Sequence, residues 1–254
     1  MRITGRIIKV IAFSAVFAVI IFLLWRIFSS GVPNEMKSLT VNDGVVAAYE
    51  AGDGALYMFK QNPQKTTNAE RNRGFFTVCD YVIIPEANQI QVVYRYTNGA
   101  IVSLVENGKV AETPKEDEHI FDTSLLVIRD LTPENTADNA GLSEGTVDYT
   151  RISPSDSKRM QKDLYNYYRL VFDLNGTDLS VKDLEGGNDL LAIYFDIYYA
   201  GDVDESGSIT ATDPETGEEE LAYGSLPIYT KGMENRRVFP SGKDVKAIKE
   251  RLQG

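Results

Sequence analysis

The pattern of hydrophobic and polar positions divides the chain into an apolar run near its start and a long alternating region after it. Residues 7–28 are nearly all apolar, with Lys9 and Arg26 near the two ends of the run. As a helix they would measure roughly 33 Å at about 1.5 Å per residue, enough to cross a hydrocarbon core of about 30 Å. The run therefore predicts a single transmembrane helix over residues 7–28.

The charges around this run predict its orientation. Arg2, Arg6 and Lys9 precede the apolar core, so the positive-inside rule predicts that residues 1–6 are cytoplasmic and that the chain beyond residue 29 lies outside. Residues 29–41 read as a juxtamembrane tether. A cleaved secretory signal peptide is the alternative, because residues 29–31 are small. The length of the run and the Trp25–Arg26 pair favour an uncleaved anchor in the lipid bilayer.

Beyond residue 42 the apolar positions recur mostly with a period of two, which is typical of β-strands with one buried face. In residues 89–97, for example, Ile90, Val92 and Tyr94 alternate with polar or smaller residues, which predicts a half-buried antiparallel strand. Turn residues separate the segments. The predicted strands are residues 55–61, 75–84, 89–97, 120–130, 146–152, 164–174, 190–199 and 221–230. Together they predict a mainly β domain over residues 42–240, an antiparallel β-sandwich of immunoglobulin-like or Greek-key type.

Two helices are predicted beside these strands. Asn42 is placed to cap a short helix that ends near Gly52. Val245, Ile248 and Leu252 form a narrow apolar stripe, which predicts a C-terminal helix within residues 241–254.

Composition excludes several classes of function. The chain carries a net charge of −11, and the part after residue 29, with 22 basic and 37 acidic residues, carries −15. Such an acidic surface argues against nucleic acid as a partner. The single cysteine, Cys79, allows no internal disulfide, and the single histidine, His119, excludes a multi-histidine zinc site.

One acidic segment has the spacing of a calcium-binding loop. Residues 202–213 place oxygen-bearing side chains or carbonyls at the ligand positions of a 12-residue loop, with Gly207 at the sharp turn. The predicted calcium ligands are Asp202, Asp204, Ser206, Ser208 and Asp213. The loop is similar to those of dockerin modules, although Pro214 and Gly217 leave no room for the helix that follows such a loop. A solvated acidic loop without metal is the alternative.

Tyrosines and strand aspartates are the other candidates for a site. Tyrosines cluster near residues 94–96, 165–168 and 194–199, where they form either a stacking surface for a protein or glycan or ordinary strand positions. Asp173 and Asp196 lie inside predicted strands, where a hydrolase could place a carboxylate pair. No spacing in the sequence brings these two aspartates together.

At the scale of the whole domain, residues 89–98, 121–135, 164–173 and 190–199 resemble segments of uncharacterised membrane-anchored extracytoplasmic proteins of gut clostridia-type bacteria, with β-sandwich-like domains. The resemblance covers most of residues 42–230. It implies a bacterial cell membrane as the location and brings no activity or site with it.

These observations lead to three hypotheses of function. The first is a membrane-anchored, extracytoplasmic, non-catalytic binding or structural module whose partner is a cell-surface protein or glycan. The second is a calcium-dependent adhesion or assembly domain that uses residues 202–213. The third is a hydrolase acting on cell-wall or host polymers.

Overall fold

The computed structural model describes residues 9, 11–22, 31–61, 76–97, 99, 121–130, 147–182, 184, 189–199 and 224–253. The chain divides into two units, Met1–Asn34 and Glu35–Gly254.

The predicted transmembrane helix over residues 7–28 is wrong. Residue 9 and residues 11–22 are helical. No helix in the described parts of the chain is long and apolar enough to span a membrane. An apolar run in a sequence is not by itself a membrane-spanning helix. The bilayer contact and the location stay untested predictions.

The second unit contains two antiparallel sheets. The six-stranded sheet has the order β10-β1-β2-β3-β7-β6 and the four-stranded sheet the order β5-β4-β8-β9. The strands are β1 Met58–Gln61, β2 Phe76–Ile84, β3 Gln89–Thr97, β4 Phe121–Asp130, β5 Val147–Ile152, β6 Asp156–Lys162, β7 Tyr165–Asp173, β8 Leu190–Tyr199, β9 Gly224–Thr230 and β10 Asn235–Val238. A mainly β chain with antiparallel sheets and a C-terminal helix, as the alternation predicted, is confirmed.

The larger hydrophobic core lies between the two sheets. It takes alternate residues from both, among them Ile90 on β3, Phe172 on β7, Leu125 on β4 and Phe195 on β8, all of them buried. Because side chains alternate across a strand, every second residue of these strands enters this core. The pattern of period two in the sequence is the pattern of this core.

A second core lies on the other face of the six-stranded sheet, under the helices. The helices of this region are α1 Asn34–Lys37, α2 Asp43–Ala51 and α3 Gly242–Gln253. Val45, Leu56, Ile84 and Ile248 are among its buried members. The predicted cap of α2 is confirmed, since the Asn42 side chain accepts a hydrogen bond from Val45 N at 3.1 Å.

The prediction that β3 has one solvated face is wrong. Gln89 and Gln91 are 0% and 3% exposed, so the strand is buried on both faces over this part. Gln91 Oε1 accepts from Thr40 N, and its Nε2 donates to Thr40 O, both at 2.9 Å. Two buried glutamines thus carry polar contacts to a segment that covers the sheet. An alternation of apolar and polar residues does not show whether the polar side chains face solvent or buried polar partners.

Two strands, β6 and β10, were not predicted, and both lie at an edge of the six-stranded sheet. β6 reads Asp-Ser-Lys-Arg-Met-Gln-Lys and β10 reads Asn-Arg-Arg-Val, with almost no apolar positions. Edge strands bury little, and charged residues on them discourage pairing with other chains. Their polarity therefore hides them from a search for hydrophobic periodicity.

Candidate functional site

The predicted calcium ligands, Asp202, Asp204, Ser206, Ser208 and Asp213, lie outside the described residues, as does His119. Among the residues that the structure describes, no group of three or more histidine, cysteine, aspartate or glutamate side chains is arranged to hold a metal ion. The calcium loop stays a prediction.

The tyrosines of β3 and β7 belong mostly to the cores. Tyr94, Tyr96 and Tyr168 lie between the sheets, where the rings of Tyr94 and Tyr168 stack at 5.2 Å. The hydroxyls of Tyr96 and Tyr168 are 3.3 Å apart. Burial raises the pKa of Tyr94 well above its usual value and also raises the pKa of Tyr96. These rings therefore support the fold and are not available as a stacking surface.

The two strand aspartates do not form a carboxylate pair. Asp196 lies on β8 between the core residues Phe195 and Ile197, so it points away from the core, where Arg151 Nη1 lies 3.1 Å from its Oδ2. Asp173 follows the core residue Phe172 on β7 and faces the helix side, where Gln89 and Asn175 donate to it. The two sheets and the core between them separate the two carboxylates, so they cannot act together on one glycosidic bond.

Arg129 gathers three aspartates from different parts of the chain. Its Nη2 contacts Asp148 at 3.0 Å and Asp178 at 2.9 Å, and its Nη1 lies 3.6 Å from Asp189. The hydrogen bond from Arg129 lowers the pKa of Asp148. An arginine at the centre of the carboxylates satisfies them and ties the chain before β8 and after β7 to β4. This cluster holds the structure together.

A small cavity lies where the segment after α1 crosses the six-stranded sheet. Its lining includes Arg169, Lys37, Gln91 and Asp80, and its volume is about 30 Å³. Such a space holds about one water molecule, too little for a sugar or a peptide side chain. Arg169 is 8% exposed and donates to the carbonyl oxygens of Glu35 and Ser38. Its plain role is to fasten the end of α1 to β7.

Cys79 sits at the irregularity where the register between β2 and β3 shifts. Its thiol is half-buried, contacts Thr77 O at 3.6 Å and has a pKa raised by burial. A raised pKa keeps the thiol protonated, so Cys79 lacks the thiolate character of a reactive cysteine.

The remaining candidate is an aromatic–arginine patch formed by Tyr57, Phe59, Arg237 and Phe239. Strands β1 and β10 pair with Phe59 opposite Arg237 and Met58 opposite Val238. Because residues two apart share a face, Tyr57 and Phe239 extend the same row by one pair. A sequence separation of about 180 residues is thereby closed by two short strands at one edge of the sheet.

The geometry of this patch is that of a stacked arginine. The guanidinium carbon of Arg237 lies 4.7 Å from the centre of the Tyr57 ring and 5.8 Å from that of Phe59. The Tyr57 and Phe239 rings meet edge to face with centres 5.8 Å apart. Cation–π contacts of this kind hold an arginine in place while its planar N–H donors stay available.

The patch is open to solvent. Tyr57 is 39% and Phe239 63% exposed, and Arg237 is exposed as well. No described carboxylate forms an ion pair with Arg236 or Arg237. Phe239 is a large aromatic side chain exposed to solvent beside an arginine without a described carboxylate partner, which makes this surface a candidate for binding.

The C-terminal stretch that contains Arg237 and Phe239 differs in the sign of its charge from the rest of the chain. Residues 231–254 carry seven basic and three acidic residues, a net charge of +4, and residues 1–230 carry 19 basic and 34 acidic residues, a net charge of −15. A signal was present in the sequence, since Arg236-Arg237-Val238-Phe239-Pro240 combines two arginines and an aromatic residue in an acidic chain. The strand that places them was not predicted.

A scan against models of protein families gives no match for this chain, and a search of curated proteins gives no similar sequence either.

Proposed function

We propose that this chain is a non-catalytic binding module that recognises a protein partner through the aromatic–arginine patch. The observation that carries the proposal is the stacked Arg237 beside the exposed Phe239. Aromatic residues and arginine are enriched at protein interfaces and dominate their hot spots, because they bury a large area and lose little side-chain entropy.

A protein partner is favoured over a glycan by the same geometry. A sugar stacks on the flat face of an aromatic ring, and the guanidinium of Arg237 lies over one face of Tyr57 at 4.7 Å. Phe239 meets Tyr57 edge to face, which presents an uneven apolar surface suited to a side chain. The predicted location outside the cytoplasm plays no part in this proposal.

The proposal is tested with the full-length chain, immobilised and panned with a phage-displayed library of random 12-residue peptides. The affinities of enriched peptides are then compared on wild type and on Phe239→Ala. We expect the variant to bind at least about tenfold more weakly, the effect of losing one hot-spot side chain.

Leu164→Ala is the matched control. Leu164 is 65% exposed, close to the 63% of Phe239, and follows β6 at the opposite edge of the same sheet. We expect this variant to bind the peptides like wild type. A library that yields no binders would overturn the patch as a binding surface. Binders with equal affinity for wild type and Phe239→Ala would do the same.

A further inference from the structure

The aromatic neighbours of Arg237 do not take the place of a carboxylate acceptor for its N–H groups. The five N–H donors of a guanidinium lie in its plane, and the guanidinium carbon of Arg237 lies over the rings of Tyr57 and Phe59. Arg237 has no carboxylate partner among the described residues. The ligand that matches such a planar donor is a carboxylate, which accepts two parallel hydrogen bonds.

The spacing of the patch adds an apolar neighbour to this carboxylate. Arg237 lies in β10 and Phe239 is the first residue after it. In extended backbone, residues two apart leave the same face about 6.6 Å apart. Residues two apart in an extended peptide have the same spacing. A peptide alongside β10 would therefore place the side chain of one residue against Arg237. The side chain of the peptide residue two positions away would lie against Phe239.

β10 is placed to receive an extended peptide. It is the terminal strand of the six-stranded sheet, paired with β1 on one side only within the described part of the chain. The backbone N–H and C=O groups of an edge strand can pair with an added strand, with side-chain pockets giving the specificity. Four residues, Asn235–Val238, limit the added strand to a short one.

The charge distribution favours a short acidic segment over a long polyanion. Arg236 and Arg237 are adjacent exposed cations on β10 without a described carboxylate partner, which favours carboxylates there, whereas the net charge of −15 on residues 1–230 opposes an extended chain of phosphates. The resulting complementarity is confined to a surface of a few residues.

We infer that the partner presents an extended segment with an aspartate or glutamate two positions from a large apolar residue, the carboxylate on Arg237 and the apolar side chain on Phe239. This inference rests on the proposed function and names the chemistry that the patch selects.

The test uses the same panned 12-residue peptides and asks what they share. We expect enrichment of an acidic residue two positions from a large apolar residue. Replacing that acidic residue by its amide in a synthetic peptide should weaken binding about tenfold, as the loss of a charge-assisted hydrogen-bond pair predicts. Raising the NaCl concentration should weaken the binding of the acidic peptide and leave the binding of its amide form unchanged.

Two variants separate a specific Arg237 contact from general electrostatics. Arg237→Lys keeps the charge and loses the planar donor, and we expect about tenfold weaker binding of the acidic peptide. Arg236→Ala removes the same charge from the adjacent, opposite-facing position of β10, and we expect a change of less than about twofold. Thermal melts of both variants report on folding.

The outcomes are distinguishable. Two results would overturn the acidic partner and leave the binding function standing. One is peptides that need Phe239 for binding but show no enrichment of acidic residues. The other is an equal loss of peptide affinity in Arg237→Lys and Arg236→Ala. Peptides that bind Phe239→Ala as tightly as wild type would overturn both the binding function of the patch and the acidic partner.

Discussion

A single asparagine joins three parts of the structure at the turn between β2 and β3. Asn88 has φ of 50° and is 5% exposed. Its side chain donates to Leu179 O at 3.0 Å and accepts from Val181 N at 2.8 Å, and its carbonyl accepts from Leu174 N. Asparagine tolerates the left-handed conformation that this turn needs and offers a donor and an acceptor together. The turn was predictable, whereas these distant partners were not.

The buried tyrosines make the stability of the fold decrease at alkaline pH. Burial raises the pKa of Tyr94 in the folded state, so the neutral ring stabilises the fold at neutral pH, and this contribution is lost as pH rises above the ordinary value of about 10. Each such group can reduce stability by about 1.4 kcal/mol per pH unit in that range.

We therefore expect Tyr94→Phe to reduce the loss of stability between pH 10 and 11, because it removes one group that the unfolded chain can ionise. Urea unfolding at pH 8, 10 and 11 measures this. A slope equal to that of wild type would show that Tyr94 ionises as readily in the folded chain as in the unfolded one.

At the scale of elements, a strap of residues 35–43 is held on the six-stranded sheet by polar contacts. Thr40 pairs with Gln91, Leu39 N donates to Asp244 Oδ1, and Arg251 donates to Val41 O. Asp244 also bonds reciprocally with Ser241 at the start of α3, a capping arrangement. The strap thus connects β3 with the C-terminal helix.

Gln91→Leu should loosen this strap. The change keeps the volume of the side chain roughly constant and leaves the N–H and C=O of Thr40 without partners, so we expect a loss of about 1–3 kcal/mol. The amide hydrogen exchange rates of residues 39–45 should rise before those of β7. The control is Gln161→Leu on edge strand β6, where the residue is exposed and the change should stay within about 0.5 kcal/mol. Equal effects at the two positions would refute the role of the strap.

The elements that bury apolar side chains were predictable, and those that depend on polar contacts were not. β2, β3, β7 and β8 have alternating apolar residues, and each was predicted within about two residues of its observed bounds. β6 and β10 lack this signal because each lies at a sheet edge. The candidate site was missed for the same reason, since its position depends on β10. The predicted membrane helix is wrong, because an apolar run in a sequence is not by itself a membrane-spanning helix.

At the scale of the molecule, the second unit is layered, with one sheet serving two cores. The six-stranded sheet gives Ile83 and Ile90 to the core between the sheets and Val82 and Ile84 to the core under the helices. Neighbouring residues of one strand, such as Ile83 and Ile84, thus lie in different cores. Loss of order in the sheet would expose both cores at once, which predicts a single cooperative unfolding transition.

Two buried residues test this coupling from opposite sides. Ile248 on α3 and Leu125 on β4 are both 0% exposed, one in each core. Changing either to alanine should cost about 2–5 kcal/mol. Far-ultraviolet circular dichroism follows the helices, and the near-ultraviolet signal follows the tyrosines between the sheets. If the sheet couples the cores, Ile248→Ala lowers the urea midpoint by the same amount in both signals. Leu125→Ala should lower both in the same way. A midpoint that falls only in the far-ultraviolet signal for Ile248→Ala would mean that the helical layer unfolds on its own, because the tyrosines would then keep their packing after the helices are lost.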